Sequence, residues 1–227
     1  MQQIISQTNC IVNPAQESMM ITDFDRMLNR AKNVFMKVAH DHFAGYVVDG
    51  ENRETIVKCL VYLLGGNEQF PDLDPQKGLM LVGNIGCGKS MLMEILKSMM
   101  SYKTLLGIKG KGFRIVKAAD ISDEYMLGSK GEQYGELFYN GKIKSFALCI
   151  DDLGFESIKI MIYGNEIIPL AHVLNKRCAV FEWHGDVTHI TTNLSPGEIE
   201  AIYGDRIRDR LRKMCNVVTL NGVSRRK

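Results

Sequence analysis

The segment 83-GNIGCGKS-90 decides the fold of this 227-residue chain. It fits the pattern G-x-x-x-x-G-K-[ST], and it lies between an apolar run, 77-KGLMLVG-83, and a segment with helical periodicity, 89-KSMLMEILKSMM-100. A strand, a glycine-rich loop and a helix in this order form a phosphate-binding loop, or P-loop. The sequence therefore predicts a nucleotide phosphate site at the start of that helix.

Each residue type in the loop has a physical role. The glycines let the backbone direct its amides at phosphate oxygens without a clash of Cβ atoms. Lys89 is predicted to reach the β- and γ-phosphates, and the Ser90 hydroxyl to bind Mg²⁺. Cys87 is interpreted as a small spacer. The predicted nucleotide-binding residues of this segment are Gly83, Asn84, Ile85, Gly86, Cys87, Gly88, Lys89, Ser90 and Met91.

Two carboxylates close the apolar run 146-FALCIDDLG-154. A run that is apolar almost throughout is typical of a strand buried on both faces, and in P-loop proteins such a strand delivers an acid to the metal. We expect Asp151 to hold Mg²⁺ through water and Asp152 to orient or deprotonate the attacking water. Capping of a turn is the alternative role for this pair.

A neutral amide follows the next strand-like run, in 189-HITTNLS-195. Asn193 is predicted to hold the water between the acidic pair and the γ-phosphate without adding charge. Loop entry and helix capping are the alternative explanation of Asn-Leu-Ser at this point.

The remaining pattern predicts a doubly covered parallel sheet. Five strand-like runs alternate with helical segments, which calls for an α/β fold with helices on both faces. A first helix is expected from an N-cap at Thr22, a second over 52–64, and a single late helix over 195–214. We expect a flexible arm at 1–21, helices packed on the core at 22–70, and the nucleotide-binding core at 71–227.

Composition is that of an ordinary globular protein, with 45% apolar and 24% charged residues. No apolar run approaches the ~18 residues of a membrane-spanning helix, and the N-terminus lacks the features of a secretory signal. The six cysteines form no C-x-x-C pair, which favours reduced thiols over disulfides or a metal site. We therefore expect a cytoplasmic protein without membrane partners.

The net charge of +2 conceals two basic zones. Six Lys or Arg and no acid lie between Ile95 and Ala119, and eight basic against two acidic residues lie between Gly204 and Lys227. The first zone is a candidate contact for single-stranded DNA, with Tyr102 and Phe113 as rings that could stack on bases. Lysines that keep a surface solvated are an equally good explanation.

Four segments together resemble one known family. "GNIGCGKS", "CIDDLGFE", "ITTNLS" and "YGDRIRDRLRKMCNVVTLNGVSRR" are similar to the DnaC/IstB-like branch of the AAA+ ATPases, which comprises bacterial helicase loaders and ATP-binding partners of transposases. The similarity covers about residues 30 to 227, and the run from Thr191 to Arg226 is its most specific part.

The resemblance implies a five-stranded sheet of order 5-1-4-3-2 without a large lid after the last strand; six residues follow Asn221. It implies ATP and Mg²⁺ as cofactors, and head-to-tail self-assembly. Arg210 matches an arginine finger acting on the neighbouring subunit's site, with Arg206 beside it. Arg225 or Arg226 matches the sensor 2 arginine that touches the γ-phosphate within one chain. A solvated helix face with Asp–Arg pairs is the alternative for Arg206 and Arg210.

The function implied is that of an ATP-hydrolysing loader in DNA replication, with a replicative helicase or another DNA-processing protein as partner. Two alternatives stay open: an ATP-binding partner of a transposase, and a non-hydrolysing nucleotide-dependent adaptor. A small-molecule kinase would need phosphate-binding arginines in a lid, where the chain offers only Lys176 and Arg177. A GTPase would need N-K-x-D, and "NKRC" lacks the aspartate.

Overall fold

A five-stranded parallel sheet forms the centre of the molecule. The computed structural model describes residues 14–66, 68–110, 112–128, 132–134, 137–139, 142–144 and 146–225. The sheet strands are β1 (Gly78–Val82), β2 (Phe113–Lys117), β5 (Ala147–Leu153), β8 (Thr188–Thr192) and β9 (Cys215–Thr219). Two short antiparallel pairs lie outside the sheet: β3 (Leu137–Tyr139) with β4 (Lys142–Lys144), and β6 (Ile160–Ile162) with β7 (Asn165–Ile167).

The strands lie side by side in the order β2-β5-β8-β1-β9. Numbered 1 to 5 by their position along the chain and read from β9 to β2, the strands have the order 5-1-4-3-2, which confirms the prediction. The first strand therefore lies inside the sheet, between β8 and β9, with Met80 opposite Ile190 on one side and opposite Val217 on the other. The P-loop consequently leaves the sheet between two neighbouring strands.

Helices cover both faces of the sheet, and alternate strand residues enter the two resulting cores. Leu79 and Leu81 pack into the core under the first four helices, whereas Met80 packs into the core under the others. The helices are α1 (Pro14–His42), α2 (Arg53–Leu63), α3 (Lys89–Met99), α4 (Lys103–Leu106), α5 (Ala118–Met126), α6 (Pro169–His184), α7 (Pro196–Tyr203) and α8 (Asp205–Met214), with 3₁₀ turns at Met100–Tyr102 and Glu132–Tyr134.

The first helix is longer than its periodic apolar stripe predicts. It begins at Pro14, so the N-cap expected at Thr22 is wrong. Proline is favoured in a first helical turn, and Ala, Gln, Glu and Met, which follow it in the sequence, have high helix propensity. The part of the predicted arm that covers residues 1–13 lies outside the described residues.

The late helical segment is two helices rather than one. Ser195 caps α7 through a reciprocal capping box with Glu198, as its sequence predicts. Gly204 then adopts φ of +89° and ψ of 161°, a conformation restricted almost entirely to glycine. The chain turns there, and α8 starts in a new direction with Asp205. No helix among the described residues has the length and apolar character needed to cross a membrane.

Candidate nucleotide-binding site

The P-loop joins β1 to α3 and holds a buried lysine at its centre. Gly86 and Gly88 have φ of +81° and +104°, which glycine adopts without strain. The Lys89 ammonium donates hydrogen bonds to the carbonyl oxygens of Gly83 and Asn84, each at 2.9 Å. The loop thus fixes a cation at the start of α3, where free amide groups also favour an anion.

The side chains of three other predicted loop residues differ in their exposure to solvent. Cys87 is buried inside the loop, with its Sγ 4.0 Å from the Lys89 ammonium. Ile85 is 63% exposed and Met91 is 37% exposed. Both apolar side chains therefore remain accessible to a ligand on the outer side of the loop.

Residues 220–225 cross the P-loop in close contact. The backbone N–H of Leu220 donates to the Val82 oxygen (2.8 Å), and that of Arg225 donates to the Gly86 oxygen (2.9 Å). A Cβ on Gly86 would lie 2.3 Å from the Ser224 hydroxyl. The glycine at this position is therefore required by packing within the chain as well as by the loop's conformation.

The acidic pair lies at the end of β5, beside the end of β8. Asp151 is buried, and its Oδ1 accepts a 2.6 Å hydrogen bond from the Thr191 hydroxyl. The same hydroxyl accepts a 2.8 Å hydrogen bond from the Asp152 backbone N–H. Asp152 has φ of +56°, in the left-handed region that non-glycine residues seldom adopt. The strand pairing is irregular between Ile150 and Leu153, and Asp152 lies within this irregularity, partly exposed, next to the buried Asp151.

The carboxyl ends of three neighbouring strands meet at one edge of the sheet. Val82 pairs with Thr192, which also pairs with Leu153. The Gly83 backbone N–H donates to the Thr192 oxygen at 3.3 Å. Asn193 follows directly and is exposed at this edge. The P-loop, the acidic pair and the amide are therefore neighbours, as their strand positions predict.

Arg225 reaches the P-loop, and its guanidinium is bound by an acid. Its two terminal nitrogens donate to the two carboxylate oxygens of Asp49 at 2.8 and 3.0 Å. This hydrogen bond to Arg225 is the main reason why the pKa of Asp49 falls to about 2. Glu51 lies 3.7 Å from the same guanidinium. Arg226, the alternative to Arg225, lies outside the described residues.

Arg206 and Arg210 lie on α8, which packs against α6, α7 and β9 rather than on the P-loop. Within the described part of the chain, neither arginine has an ion pair. The predicted Asp–Arg pairs within this helix are also missing there: Arg208 instead bonds Glu200 of α7, and Lys213 bonds Glu182 of α6. The structure therefore does not bring Arg206 or Arg210 to this chain's own nucleotide site.

The basic segment offers cations but only one accessible ring. Phe113 is buried with its ring centroid 4.5 Å from that of His189, so the expectation that it stacks on a base is wrong. Tyr102 is partly buried, with the Lys37 ammonium 5.8 Å from the ring centroid. Lys103, Lys109 and Lys117 are exposed.

Arg177 is part of the core and not of a lid. It is fully buried, and its guanidinium donates to the Thr188 hydroxyl and to carbonyl oxygens including those of Phe146 and Val187. Burial lowers its pKa to about 10. This arginine cannot bind a phosphate without leaving the core, which removes the feature that a kinase lid would need.

The residues present fit a nucleotide with Mg²⁺. The glycine cradle and the buried Lys89 suit polyphosphate oxygens. Asp151 and Ser90 offer the oxygen ligands that Mg²⁺ prefers, and Mg²⁺ in such sites completes its shell with water and phosphate oxygens. The described residues contain no cluster of three His, Cys, Asp or Glu side chains suited to a metal.

Three polar contacts at this site escape prediction from the sequence. Thr191 lies in an ordinary strand run, and only its position two residues before Asn193 marks it. Asp49 lies in a loop without a motif, some 176 residues from its partner Arg225. The buried Glu156 accepts hydrogen bonds from the Gly154 N–H (2.7 Å) and from the Tyr203 hydroxyl.

Comparison with protein-family models gives no match, and neither does comparison with curated proteins. Among solved structures, the chain resembles a primosome component from Streptococcus pyogenes serotype M3. The two chains are 22% identical, the match covers 80% of this chain and 85% of that chain, and the TM-score is 0.51. This chain also resembles the DnaC helicase loader, with 16% identity, coverage of 78% and 94%, and a TM-score of 0.51. For DnaI the identity is 16%, the coverage 82% and 93%, and the TM-score 0.52. At these identities the likeness shows the fold: the chain has the AAA+ type of P-loop fold found in DnaC-like proteins, as the resemblance in its sequence implies.

Proposed function

We propose that the chain binds and hydrolyses ATP with Mg²⁺ and acts as a helicase-loader-like factor in DNA replication. The observation that carries this proposal is the meeting of Lys89, the Asp151–Thr191 pair and Asn193 at one sheet edge. Phosphoryl transfer needs a cation at the phosphates, an acid for the metal and a polar group for the water. The segments that follow or end the three neighbouring strands supply these groups: Lys89 is the cation, Asp151 the acid and Asn193 the polar group.

Each side chain has a defined task in this proposal. Lys89 exchanges its carbonyl partners for the β- and γ-phosphates, and Ser90 and Asp151 hold Mg²⁺, which neutralises phosphate charge when bound. Asp152 accepts a proton from, or orients, the attacking water. Asn193 holds that water in line.

The site requires a second copy of the chain. Arg206 and Arg210 have no ion pair among the described residues and belong to a helix away from the P-loop. Arg206 is exposed and Arg210 is partly exposed; the charge of Arg210 acts on Glu182 without forming an ion pair with it, so both guanidinium groups can take a partner from a neighbouring subunit. We assign Arg210 as the finger that enters the neighbour's site in a head-to-tail assembly, with Arg206 beside it; such fingers increase turnover by about 10³–10⁵-fold.

A replicative helicase is the proposed protein partner. DnaC is a helicase loader, and the shared fold supports the hypothesis that this chain has the same role. Single-stranded DNA is the proposed nucleic-acid partner. The exposed Lys103, Lys109 and Lys117 would contact its phosphates and make binding salt-dependent.

Phosphate release measured over a range of protein concentrations, with and without single-stranded DNA, tests the proposal. Turnover per chain should rise with concentration as subunits assemble, and Lys89→Ala should abolish it. Nucleotide binding without turnover under every assembling condition would instead support a non-hydrolysing adaptor. Absence of both binding and turnover would refute the proposed function.

A further inference from the structure

The segment that carries Arg225 is fixed to the P-loop by its backbone. The Arg225 N–H donates to the Gly86 oxygen at 2.9 Å, and a Cβ on Gly88 would lie 3.9 Å from the arginine's Cδ. The backbone of Arg225 is therefore held beside the P-loop, whereas its side chain can still rotate. Rotation of its side chain is sufficient to exchange one acceptor near the loop for another.

Asp49 is the acceptor that holds this guanidinium. Both carboxylate oxygens take part, at 2.8 and 3.0 Å, in the two-pronged geometry that arginine makes with carboxylates and phosphates alike. The carboxylate is itself fixed, since Asp49 Oδ1 also accepts the backbone N–H groups of Glu51 and Asn52. Nε of Arg225 is buried and has no hydrogen-bond partner among the described residues. Asp49 therefore occupies both terminal nitrogens, the pair of donors that would also bind two oxygens of a phosphate group.

We propose that Asp49 is a specificity-determining residue that occupies, on Arg225, the place of the γ-phosphate, so that ATP must displace Asp49 whereas ADP need not. The proposal rests on the proposed function, because it takes ATP as the ligand of the P-loop, and on the resemblance of Arg225 to a sensor 2 arginine that touches the γ-phosphate. A carboxylate and a γ-phosphate cannot both bind this face of the guanidinium. Their charges also repel each other.

A difference between two nucleotides follows from this competition. ATP gains Arg225 only after the arginine has lost Asp49, so the ion pair subtracts from ATP affinity. ADP lacks the third phosphate, and the pair stays intact when ADP binds. The wild-type chain therefore discriminates less between ATP and ADP than its P-loop and Arg225 alone would allow.

Removal of the carboxylate tests this step. Asp49→Asn keeps an oxygen for the backbone N–H groups of Glu51 and Asn52 but loses the charge and the second acceptor oxygen. We expect binding of ATPγS with Mg²⁺, measured by calorimetry, to tighten about three- to tenfold. Binding of ADP with Mg²⁺ should change by less than about twofold. Asp49→Ser, which also retains an oxygen, is the second variant should the first fail to fold.

Two controls test whether the effect comes from the Asp49–Arg225 ion pair or from any carboxylate near the site. Glu51→Gln removes a carboxylate from the same loop without removing a short hydrogen bond to Arg225, so it should change the ATPγS-to-ADP ratio by less than about twofold. In an Arg225→Ala background, Asp49→Asn should no longer alter that ratio. A changed ratio in that background would show that Asp49 acts without Arg225.

The outcomes distinguish this inference from the function on which it depends. A wild-type chain that binds neither nucleotide overturns both. A chain that binds both nucleotides but whose ATPγS-to-ADP ratio is unchanged or lowered by Asp49→Asn overturns only the inference, since Asp49 would then be neutral or would position Arg225 for ATP.

Discussion

The Thr191 hydroxyl donates to Oδ1 of Asp151 at 2.6 Å and accepts the backbone N–H of Asp152 at 2.8 Å. One side chain therefore binds the carboxylate of the first acid and the backbone of the second. Thr191→Val keeps the shape of the residue but leaves a buried donor and a buried acceptor without this partner, which costs about 1–3 kcal/mol. We expect the rate of ATP turnover to fall about tenfold or more, with nucleotide affinity changed less than about threefold, as measured by phosphate release and calorimetry.

Thr191→Ser is the matched control, because it retains the hydroxyl and loses only a methyl group. It should keep turnover within about threefold of wild type. Equal loss in the Ser and Val variants would show that packing of the methyl group, and not the hydrogen bonds, supports the site.

Lys89 and Arg210 are predicted to fail in different ways. The Lys89 ammonium lies inside the P-loop, so Lys89→Ala should abolish nucleotide binding. Arg210 lies on α8 away from that loop, so Arg210→Ala should leave binding intact and reduce turnover about 10³-fold or more. Calorimetry and phosphate release on each variant measure the two effects.

Mixing the two variants tests whether the arginine acts between subunits. An intact Arg210 from the Lys89→Ala chain can complete the site of an Arg210→Ala chain, so the mixture should recover part of the turnover that each lacks. Arg212→Ala, an exposed change on the same helix, should have no effect. A mixture as inactive as its components would contradict a finger acting in trans.

The sequence predicts the sheet because its strands are short runs rich in apolar or β-branched residues next to turn signals, and the P-loop motif fixes which run is β1; β8, with four polar residues out of five, has the weakest pattern of these strands. Backbone positions that glycine alone permits are harder to predict. Gly204 divides the late helix at a φ of +89°, yet an isolated glycine within a helical pattern is often tolerated. The periodicity of the sequence therefore predicts that this segment is helical better than it predicts where α7 ends and α8 begins.

Contacts between distant segments are the part of the site that local pattern cannot predict. Asp49 and Arg225 meet because the loop after α1 reaches the segment after β9, which itself passes the P-loop. Thr191 meets Asp151 because β8 pairs with β5. Neither pair has a periodicity or a motif of its own, and each follows only once the strand order is known.

The Tyr203 hydroxyl is predicted to stabilise the turn after β5. It donates to the buried Glu156, whose other oxygen accepts the Gly154 N–H at 2.7 Å. Tyr203→Phe removes one partner of a buried carboxylate, so the free energy of unfolding should fall by about 1–3 kcal/mol. Tyr163→Phe, at a fully exposed tyrosine, is the control and should leave stability within about 0.5 kcal/mol. Urea denaturation followed by circular dichroism measures both, and equal stability of the two variants would refute the prediction.

His189 makes stability depend on pH in the mildly acidic range. The ring is buried between Tyr62 and Phe113, and its Nδ1 accepts the Leu79 backbone N–H at 3.0 Å. Burial, reinforced by the positive charge of Arg177, lowers the pKa of His189 from 6.5 to about 4. The unfolded chain therefore binds a proton between these values that the folded chain does not, so stability is complete above about pH 6.5 and is lost as pH falls towards 4.

The expected loss from this one group is about 3 kcal/mol in the free energy of unfolding between pH 7 and pH 4. Urea denaturation at intervals of half a pH unit measures it. His189→Asn places an amide oxygen near the position of Nδ1 and does not titrate in this range. That variant should be less stable at pH 7, because it leaves a cavity, but its stability should change less between pH 6.5 and 4.5. A variant whose pH profile in that interval runs parallel to that of wild type would show that another group is responsible.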